Sequence, residues 1–216
     1  MKKPCLQSRL PASFYDRDPS QVARELLGMW LMRKIQGNWI GGCIVETEAY
    51  LASGDPASHS ARGKTPGNTS MFGPPGTLYV YPIHANHCMN AVTQTLGTGS
   101  AVLIRAIEPF CGLPTMQANR GTSHPGKLTS GPGMLCQALD VDRSLDGASL
   151  THSSHVGIFF SGQTVTQVCQ TGRIGVTRAQ KRKLRFFTDG NWYVSGRRKD
   201  HRTPPARPAQ KLSGET

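Results

Sequence analysis

The run IVETEAY at residues 44–50 decides the fold of this chain, because it alternates in the way that a half-buried β-strand requires. Successive side chains of a strand point to opposite faces, so Glu46, Glu48 and Tyr50 are predicted to share one face. Val45, Thr47 and Ala49 are predicted to share the opposite face. Two carboxylates and a phenol on one face can line a polar cleft, and an ordinary solvated strand face is the alternative.

The rest of the chain reads as a mixture of strands and short helices. Asp18 offers an N-cap for a helix that Gly28 can end. A turn at Gly37-Asn38 joins a strand at 30–33 to the long strand at 39–50. A loop rich in Gly, Pro, Ser and Asn follows at 52–76, and a loop of that length is usually functional or disordered. The later predictions are strands at 77–81, 101–107, 184–187 and 192–194, and a glycine turn at 130–133 that opens a helix at 134–139.

The chain has 216 residues and a formal net charge of +12, with an isoelectric point near 9.8. That length suits one substantial core, and a basic excess of this size attracts polyanions, most often nucleic acid. The six cysteines are scattered without paired spacing, and no apolar run reaches the length of a membrane span. We therefore expect a soluble intracellular protein, in the cytoplasm or nucleoid of a bacterium or in a eukaryotic nucleus, and no membrane partner.

Aromatic and histidine side chains supply the remaining candidates for a site. Tyr81 shares a strand face with Tyr79, and His59 lies in the long loop. A metal-dependent hydrolase that uses His84, His87 and Cys88 is an alternative, but these residues lack a further ligand at a recognised spacing, so no metal is predicted. The glycine turn at Ser130-Gly131 has backbone N–H groups that could hold a phosphate. Basic residues between 173 and 185 are further candidates for phosphate contact, namely Arg173, Arg178, Lys181, Arg182, Lys183 and Arg185.

Taken together, these segments resemble the alkyladenine (3-methyladenine) DNA glycosylase family. Each matching piece is common by itself, whereas the ordered set across roughly residues 10–195 is specific. The pieces are VETEAY at 45–50, ASHS at 57–60, MF at 71–72, PGTLYVY at 75–81, CMN at 88–90, VLIRAIEP at 102–109, SGPG at 130–133 with LCQAL at 135–139, and RIGV at 173–176.

The resemblance implies a role for individual residues. Glu48 corresponds to the catalytic base of the family, and Arg105 to an arginine beside the attacking water. The base pocket would be lined by four further residues, Tyr50, His59, Tyr81 and Asn90. The family commonly has a tyrosine wedge three residues after the YVY strand, where this chain has His84. Histidine can stack, but it offers less apolar surface to the gap left by a flipped nucleotide.

The resemblance also implies a mixed α/β (α+β) fold: one domain with a curved, mainly antiparallel β-sheet flanked by helices. We predict an N-terminal extension at 1–9, the glycosylase domain at 10–195 and a basic disordered tail at 196–216. No metal and no organic cofactor is implied. The partner would be double-stranded DNA with damaged purines, bound by a monomer.

The implied activity is base-excision repair. The enzyme would flip alkylated purines of the 3-methyladenine type from duplex DNA and hydrolyse the N-glycosidic bond with an activated water, leaving an abasic site. Hypoxanthine and ethenoadenine are further candidate bases. Besides the metal-dependent hydrolase, two alternatives stay open: a non-catalytic DNA-binding module and an enzyme directed at RNA. Glu48 argues against the first of these two, since binding alone needs no carboxylate that faces DNA.

Overall fold

An antiparallel sheet of eight strands organises the chain in the computed structural model, which describes residues 8–207. Its strands are β1 Trp30–Ile35, β2 Asn38–Tyr50, β3 Leu78–Ile83, β4 Asn86–Thr93, β5 Ser100–Cys111, β6 Val156–Phe159, β7 Val168–Thr171 and β8 Arg185–Thr188. The α-helices are α1 Ala12–Tyr15, α2 Pro19–Glu25, α3 Leu113–Arg120 and α4 Pro132–Ala138. Single 3-10 turns occupy His59–Arg62, Thr69–Phe72, Pro125–Lys127, Arg143–Leu145 and Arg198–Asp200.

The long strand β2 lies at the centre of the sheet. The order across the sheet is β3, β4, β5, β2, β1 and β6, and β8 pairs with β2 and β7. One edge of β2 pairs with β5, and its other edge pairs first with β1 and then, at 46–48, with β8. All of these pairings are antiparallel and the sheet curls into a half-barrel, which confirms the predicted α+β domain.

The helices cover one face of the sheet and leave the glutamates on the other. Val22 and Ala23 of α2 are buried in the main core together with Ala49 of β2. Thr47 donates a hydrogen bond of 2.7 Å to the carbonyl of Ala23, so its side chain is on the helix side. Because side chains alternate along a strand, Glu48 projects away from the helices. The alternation of residues 46–50 therefore predicted the orientation of the site correctly.

Two β-bulges interrupt the pairing of β2 with β5 at the level of the glutamates. The register skips Val45 in β2 and Arg105 in β5, and it is regular from Thr47 to Tyr50. A third irregularity, at the other end of the pairing, skips Phe110 of β5 beside Gly41 and Gly42. Val45 consequently packs against Ala106 and Tyr193, apart from the main core. The prediction that Val45 shares the face of Thr47 is therefore wrong, since a bulge puts two successive side chains on one side of the sheet.

Most predicted elements are confirmed, with shifts at their ends. Asp18 caps α2 by accepting hydrogen bonds from two backbone N–H groups, and the helix ends at Glu25, before Gly28. The turn between β1 and β2 lies at 36–37, one residue earlier than predicted. The predicted strand at 192–194 is wrong, because these residues form a turn and an irregular segment. The strands β4, β6 and β7 were not predicted.

The chain is folded onto the domain on both sides of the predicted boundaries. Arg9 donates two hydrogen bonds of 2.9 Å to backbone carbonyls of the domain. At the other end, Asp200 pairs with the buried Arg185 at 3.2 Å. The folded chain thus extends through 196–207, further than the predicted boundary. The remainder of the predicted tail, 208–216, lies outside the described residues, as do the first seven residues.

Within residues 8–207, no helix combines the length and the apolar character that crossing a membrane demands. The five cysteines in that range are free thiols.

Candidate active site

Glu48 is completely buried, and its carboxylate is held by three donors. The hydroxyl of Tyr50 donates to Oε2 at 2.9 Å, and the backbone N–H of Ile174 donates to Oε1 at 2.8 Å. The Nη1 atom of Arg105 lies 3.3 Å from Oε1. Because all three neighbours are hydrogen-bond donors, both oxygens of Glu48 act as acceptors and the carboxyl group has a fixed orientation.

Arg105 joins Glu48 to the second glutamate of the strand. Its Nε donates to Glu46 Oε1 at 2.8 Å, and its Nη2 donates to the hydroxyl of Ser195 at 3.2 Å. Burial alone would lower the pKa of Arg105, but Glu48 and Glu46 outweigh it and raise the pKa above its ordinary value. The guanidinium therefore stays charged and directs its Nη1 group at the oxygen of Glu48.

Glu46 is the anchor of this charge network. Its Oε1 accepts from Arg105 and from Nε of Arg185 at 2.7 Å, and its Oε2 accepts from the backbone N–H of Ser195 at 2.7 Å. Burial would raise the pKa of Glu46, but the two guanidinium groups lower it below its ordinary value. Arg185 is 1% exposed and pairs with Asp200, so it is not available to a phosphate, contrary to the sequence-based candidate list.

Aromatic rings form the wall next to Tyr50. The centroids of His59 and Tyr81 are 4.5 Å apart, and those of Tyr79 and Tyr81 are 5.4 Å apart. A hydrogen bond of 2.9 Å joins Nδ1 of His59 to the hydroxyl of Tyr79. Together with Asn90, these rings line a small cavity. The structure thus brings together all four residues predicted for the base pocket.

The pocket is narrow at its base and open at its mouth. The part of the pocket next to Met71 and Asn90 has a volume of about 20 Å³, close to the space that one water molecule needs. The same rings border an open cleft of about 650 Å³ that runs between the 56–68 loop and the 175–178 segment. Entry of a purine to the depth of Asn90 therefore requires the rings to separate. Asn90 itself is held by a 3.0 Å hydrogen bond from its Nδ2 to the carbonyl of Tyr79.

The pocket rings are neutral at physiological pH. Burial raises the pKa of Tyr79 to about 12, and it raises the pKa of Tyr50 and of Tyr81 further. Partial loss of solvation lowers the pKa of His59 below its ordinary 6.5, although the outer side of this residue is exposed. A set of neutral, electron-rich rings can stack on a cationic base without charge repulsion.

The side chain of Arg173 is buried and paired inside the domain. Its side chain and that of Asp55 have no exposed surface, and they form two hydrogen bonds of 2.6 Å. Nη1 also donates to the carbonyl of Ala49, and the guanidinium lies 4.6 Å from the centre of the Tyr50 ring. The predicted contact of Arg173 with the DNA backbone does not fit this geometry. Arg173 instead fixes the turn that presents the N–H of Ile174 to Glu48.

The glycine turn at the start of α4 is also hydrogen-bonded within the domain. The N–H of Gly131 donates to the carbonyl of Arg105 at 3.0 Å, so it is not free for the phosphate contact predicted for it. Ser130 is 7% exposed, and its hydroxyl is buried with no hydrogen-bond partner among the described residues. Ser130 and Gly131 were both predicted to contact a phosphate. Of the two, only Ser130 has a polar atom without a hydrogen-bond partner among the described residues.

His84 lies at the tip of the hairpin between β3 and β4. It is exposed, and its backbone φ is 50°, in the left-handed region that residues other than glycine rarely adopt. Ile83 beside it is 40% exposed. The tip thus presents one aromatic and one apolar side chain next to the cleft, which Ile83 also lines.

Some residues of the site received no role from the sequence. Strand alternation placed Glu46 beside Glu48 and Tyr79 beside Tyr81, but it assigned a function to neither. Met71 lines the floor of the pocket, but a methionine in a glycine-rich loop gives no signal of its own. Among the described residues, no group of three or more His, Cys, Asp or Glu side chains is arranged to hold a metal ion.

Comparisons with known proteins agree on one family. The sequence model of the methylpurine-DNA glycosylase family matches residues 13–192. A relative from Rhodopirellula baltica is 53% identical over 202 residues, which cover 90% of this chain and 86% of the relative. A relative from Methanoculleus marisnigri is 48% identical, with 87% and 99% covered. Both relatives carry the name of a 3-methyladenine DNA glycosylase. This chain therefore belongs to the methylpurine-DNA glycosylase family.

Proposed function

We propose that the protein is a monofunctional DNA glycosylase of base-excision repair. It flips an alkylated purine of the 3-methyladenine type out of duplex DNA and hydrolyses the N-glycosidic bond, leaving an abasic site. One observation carries the proposal: the buried carboxylate of Glu48 accepts a hydrogen bond from Tyr50, which lies in the wall of a ring-lined pocket. A DNA-binding module without catalysis has no use for such a carboxylate.

Extrusion of the base costs a few kcal/mol, and the site offers compensation in two places. Stacking against the pocket rings is worth about 1–3 kcal/mol per base. Ile83 and His84 at the hairpin tip fill the gap in the duplex, so the apolar isoleucine supplies surface that the histidine lacks. Arg62 and Arg178 border the cleft and contact phosphates beside the lesion.

Hydrolysis follows the logic of glycoside cleavage. As the bond to the base breaks, the sugar becomes oxocarbenium-like, and water attacks from the opposite side. Glu48 accepts the proton of this water and stabilises the positive charge on the sugar, while Arg105 orients the water. A base alkylated at N3 or N7 is already cationic and leaves readily. Hypoxanthine and ethenoadenine are neutral, so they are slower substrates.

The attacking group is water, and the reaction ends at the abasic site. Within the described residues, no lysine lines the pocket or the cleft, so no amine is placed to form a Schiff base with the sugar. The protein acts on the DNA as a monomer. The protein acts inside the cell, where its substrate is.

A duplex oligonucleotide with one alkylated purine tests the proposed function. We expect the wild-type protein to release the base in excess chelator, and the strand to break only after alkali treatment. Borohydride should trap no covalent protein–DNA adduct. Strand cleavage without alkali, a trapped adduct or a metal requirement would each contradict the proposed mechanism. Faster release from RNA than from duplex DNA would favour the RNA-directed alternative.

The lowered pKa of His59 makes recognition of a cationic base depend on pH. Protonation of His59 below its pKa, and hence below 6.5, puts a second cation beside the base. We expect the apparent affinity for a cationic lesion to fall as pH decreases from 7 to 5, and affinity for a neutral lesion to fall less. Single-turnover titrations at each pH measure this difference. It should disappear in His59→Gln, and an unchanged difference in that variant would exclude His59 as its cause.

A further inference from the structure

A groove of about 300 Å³ lies between the loop before α4 and the chain that follows Trp192. We call it the basic groove. Its lining includes Lys127, Ser130, Trp192, Arg197, Arg198 and His201. The match to the family ends at residue 192, so one wall of the basic groove is built by a segment outside that match.

The cations of the basic groove are exposed and lack acidic partners. Lys127, Arg197 and Arg198 are exposed, and no carboxylate of residues 8–207 lies within 4.0 Å of their charged nitrogens, the distance that defines an ion pair here. The Arg198 guanidinium lies 4.5 Å from the centre of the Trp192 ring, which restricts where this charge can be. Three uncompensated positive charges around one depression repel each other unless an anion lies between them.

Ser130 adds a second observation that points to a ligand. Ser130 lines the basic groove, and its hydroxyl is buried without a hydrogen-bond partner in the part of the chain that the structure describes. A buried polar group without a partner costs about 1–3 kcal/mol, so such groups are rare in folded proteins unless something binds them. A phosphate oxygen that enters the groove would accept a hydrogen bond from this hydroxyl once the side chain turns toward the groove.

The basic groove is continuous with the cleft of the candidate active site. It shares Gly196 and Arg197 with a neighbouring depression of about 580 Å³. That depression is also lined by Ile174, which donates to Glu48, and by Gly175 and Val176, which in turn line the cleft. The cleft, this depression and the basic groove thus adjoin one another, and we call the three together the trough. Asp200, which also lines the middle depression, pairs with Arg185.

We propose that the basic groove binds phosphates of the DNA backbone next to the lesion. This inference rests on the proposed function, because the trough begins where a flipped nucleotide would enter. An extended strand carries one charge per nucleotide, so successive phosphates can contact Arg197, Arg198 and Lys127, whereas one small anion cannot contact all three sites in this way. The segment 193–207 thereby acts as a DNA-binding addition to the domain.

The salt dependence of binding tests this proposal. The Kd for a duplex with an abasic-site analogue is measured from 50 to 200 mM salt. Each lost phosphate contact should reduce the slope of log K against log salt by about 0.9. We expect Arg197→Gln to reduce it by about one, and the triple change of Lys127, Arg197 and Arg198 to Gln by about two to three. The triple change should also raise Kd by about tenfold or more at 100 mM salt.

Two control variants separate local contacts from general charge. Arg24→Gln removes the same charge from α2, on the face of the sheet opposite Glu48, and should leave the slope unchanged. Ser130→Ala should weaken binding two- to tenfold and leave the slope unchanged, because a neutral hydrogen bond releases no counterion. Equal effects of Arg24→Gln and Arg197→Gln would overturn the proposal, as would an unchanged slope in the triple variant.

Failure of this inference is distinguishable from failure of the proposed function. If the groove variants have the salt slope of the wild type while the wild-type enzyme still releases the base, only the proposal about the basic groove is wrong. A wild-type protein that releases no base from any lesion would contradict the proposed function, while the slopes on undamaged duplex would still decide about the groove. A slope difference confined to RNA duplexes would also overturn the assignment to DNA.

Discussion

Glu48→Gln is expected to abolish base release and to leave DNA binding in place. The amide keeps the size of the side chain but cannot accept a proton from water, and proton transfer of this kind contributes about 10²–10⁴-fold to a rate. It also removes the negative charge beside the developing oxocarbenium ion. We therefore expect a fall of at least about 10³-fold in the single-turnover rate, measured with enzyme in excess over a duplex that carries one alkylated purine.

The matched control is Glu25→Gln, which makes the same change on the exposed side of α2. It should release the base at the wild-type rate. Binding of Glu48→Gln to an abasic-site analogue should stay within about threefold of wild type, since the amide can still accept from Tyr50 or Ile174. Equal rates for Glu48→Gln and Glu25→Gln would disprove the assignment of the base.

The second large effect is expected on stability when the buried pair of Arg173 and Asp55 is broken. Asp55 also accepts hydrogen bonds from the backbone of Leu51 and Ala57, so the pair ties the loop that carries His59 to the turn before Ile174. Loss of one partner leaves a buried charge unpaired, which costs about 3–5 kcal/mol. For a domain of this size that corresponds to a fall in Tm of about 10 °C for Arg173→Gln.

Calorimetry of both single variants and of the double variant tests this expectation. Asp55→Asn should be destabilised to a similar degree, and combining it with Arg173→Gln should cost clearly less than the sum, because neither charge is then left alone. Additive losses would mean that the two side chains are not coupled. The base-release rate of Arg173→Gln should also fall, since the turn that presents Ile174 to Glu48 loses its anchor.

Acid should weaken the same pair. Burial alone would raise the pKa of Asp55, but the hydrogen bonds from Arg173 outweigh it and lower the pKa below its ordinary 3.8. A carboxyl with a lowered pKa in the folded protein contributes stability above the pKa of the unfolded chain. That contribution is lost as the pH falls through the folded pKa. At neutral pH it is fully present.

The sequence predicts best where a strand alternates. The orientation of Glu48 and the neighbourhood of Tyr50 follow from strand periodicity. His59, Tyr81 and Asn90, which the family resemblance grouped together, line one cavity in the structure. Ion pairs between residues that are far apart in the chain could not be predicted from the sequence. Arg173 was assigned to DNA because arginine commonly binds phosphate, and nothing local indicates that its partner is 118 residues away.

The same limit applies to the charge network and to the end of the chain. Arg185 reads as one more basic residue in a basic stretch, yet it is buried against Glu46 and Asp200. The segment after residue 196 has many charges and prolines and no apolar stripe, a composition typical of disorder. It is ordered through 207 because buried side chains of the domain supply its partners, which composition cannot reveal.

The two bulges at Val45 and Arg105 have a consequence for how this chain tolerates length changes. Each strand skips one residue, so the offsets cancel and the pairing beyond them returns to its original phase. The defect is thereby confined to the pair of strands that bears the carboxylate and its guanidinium. A deletion at Val45 alone would shift β2 by one residue against β5 and turn Glu48 toward the helices. A change of length in β2 at this point therefore needs a matching change in β5 to keep the carboxylate where it is.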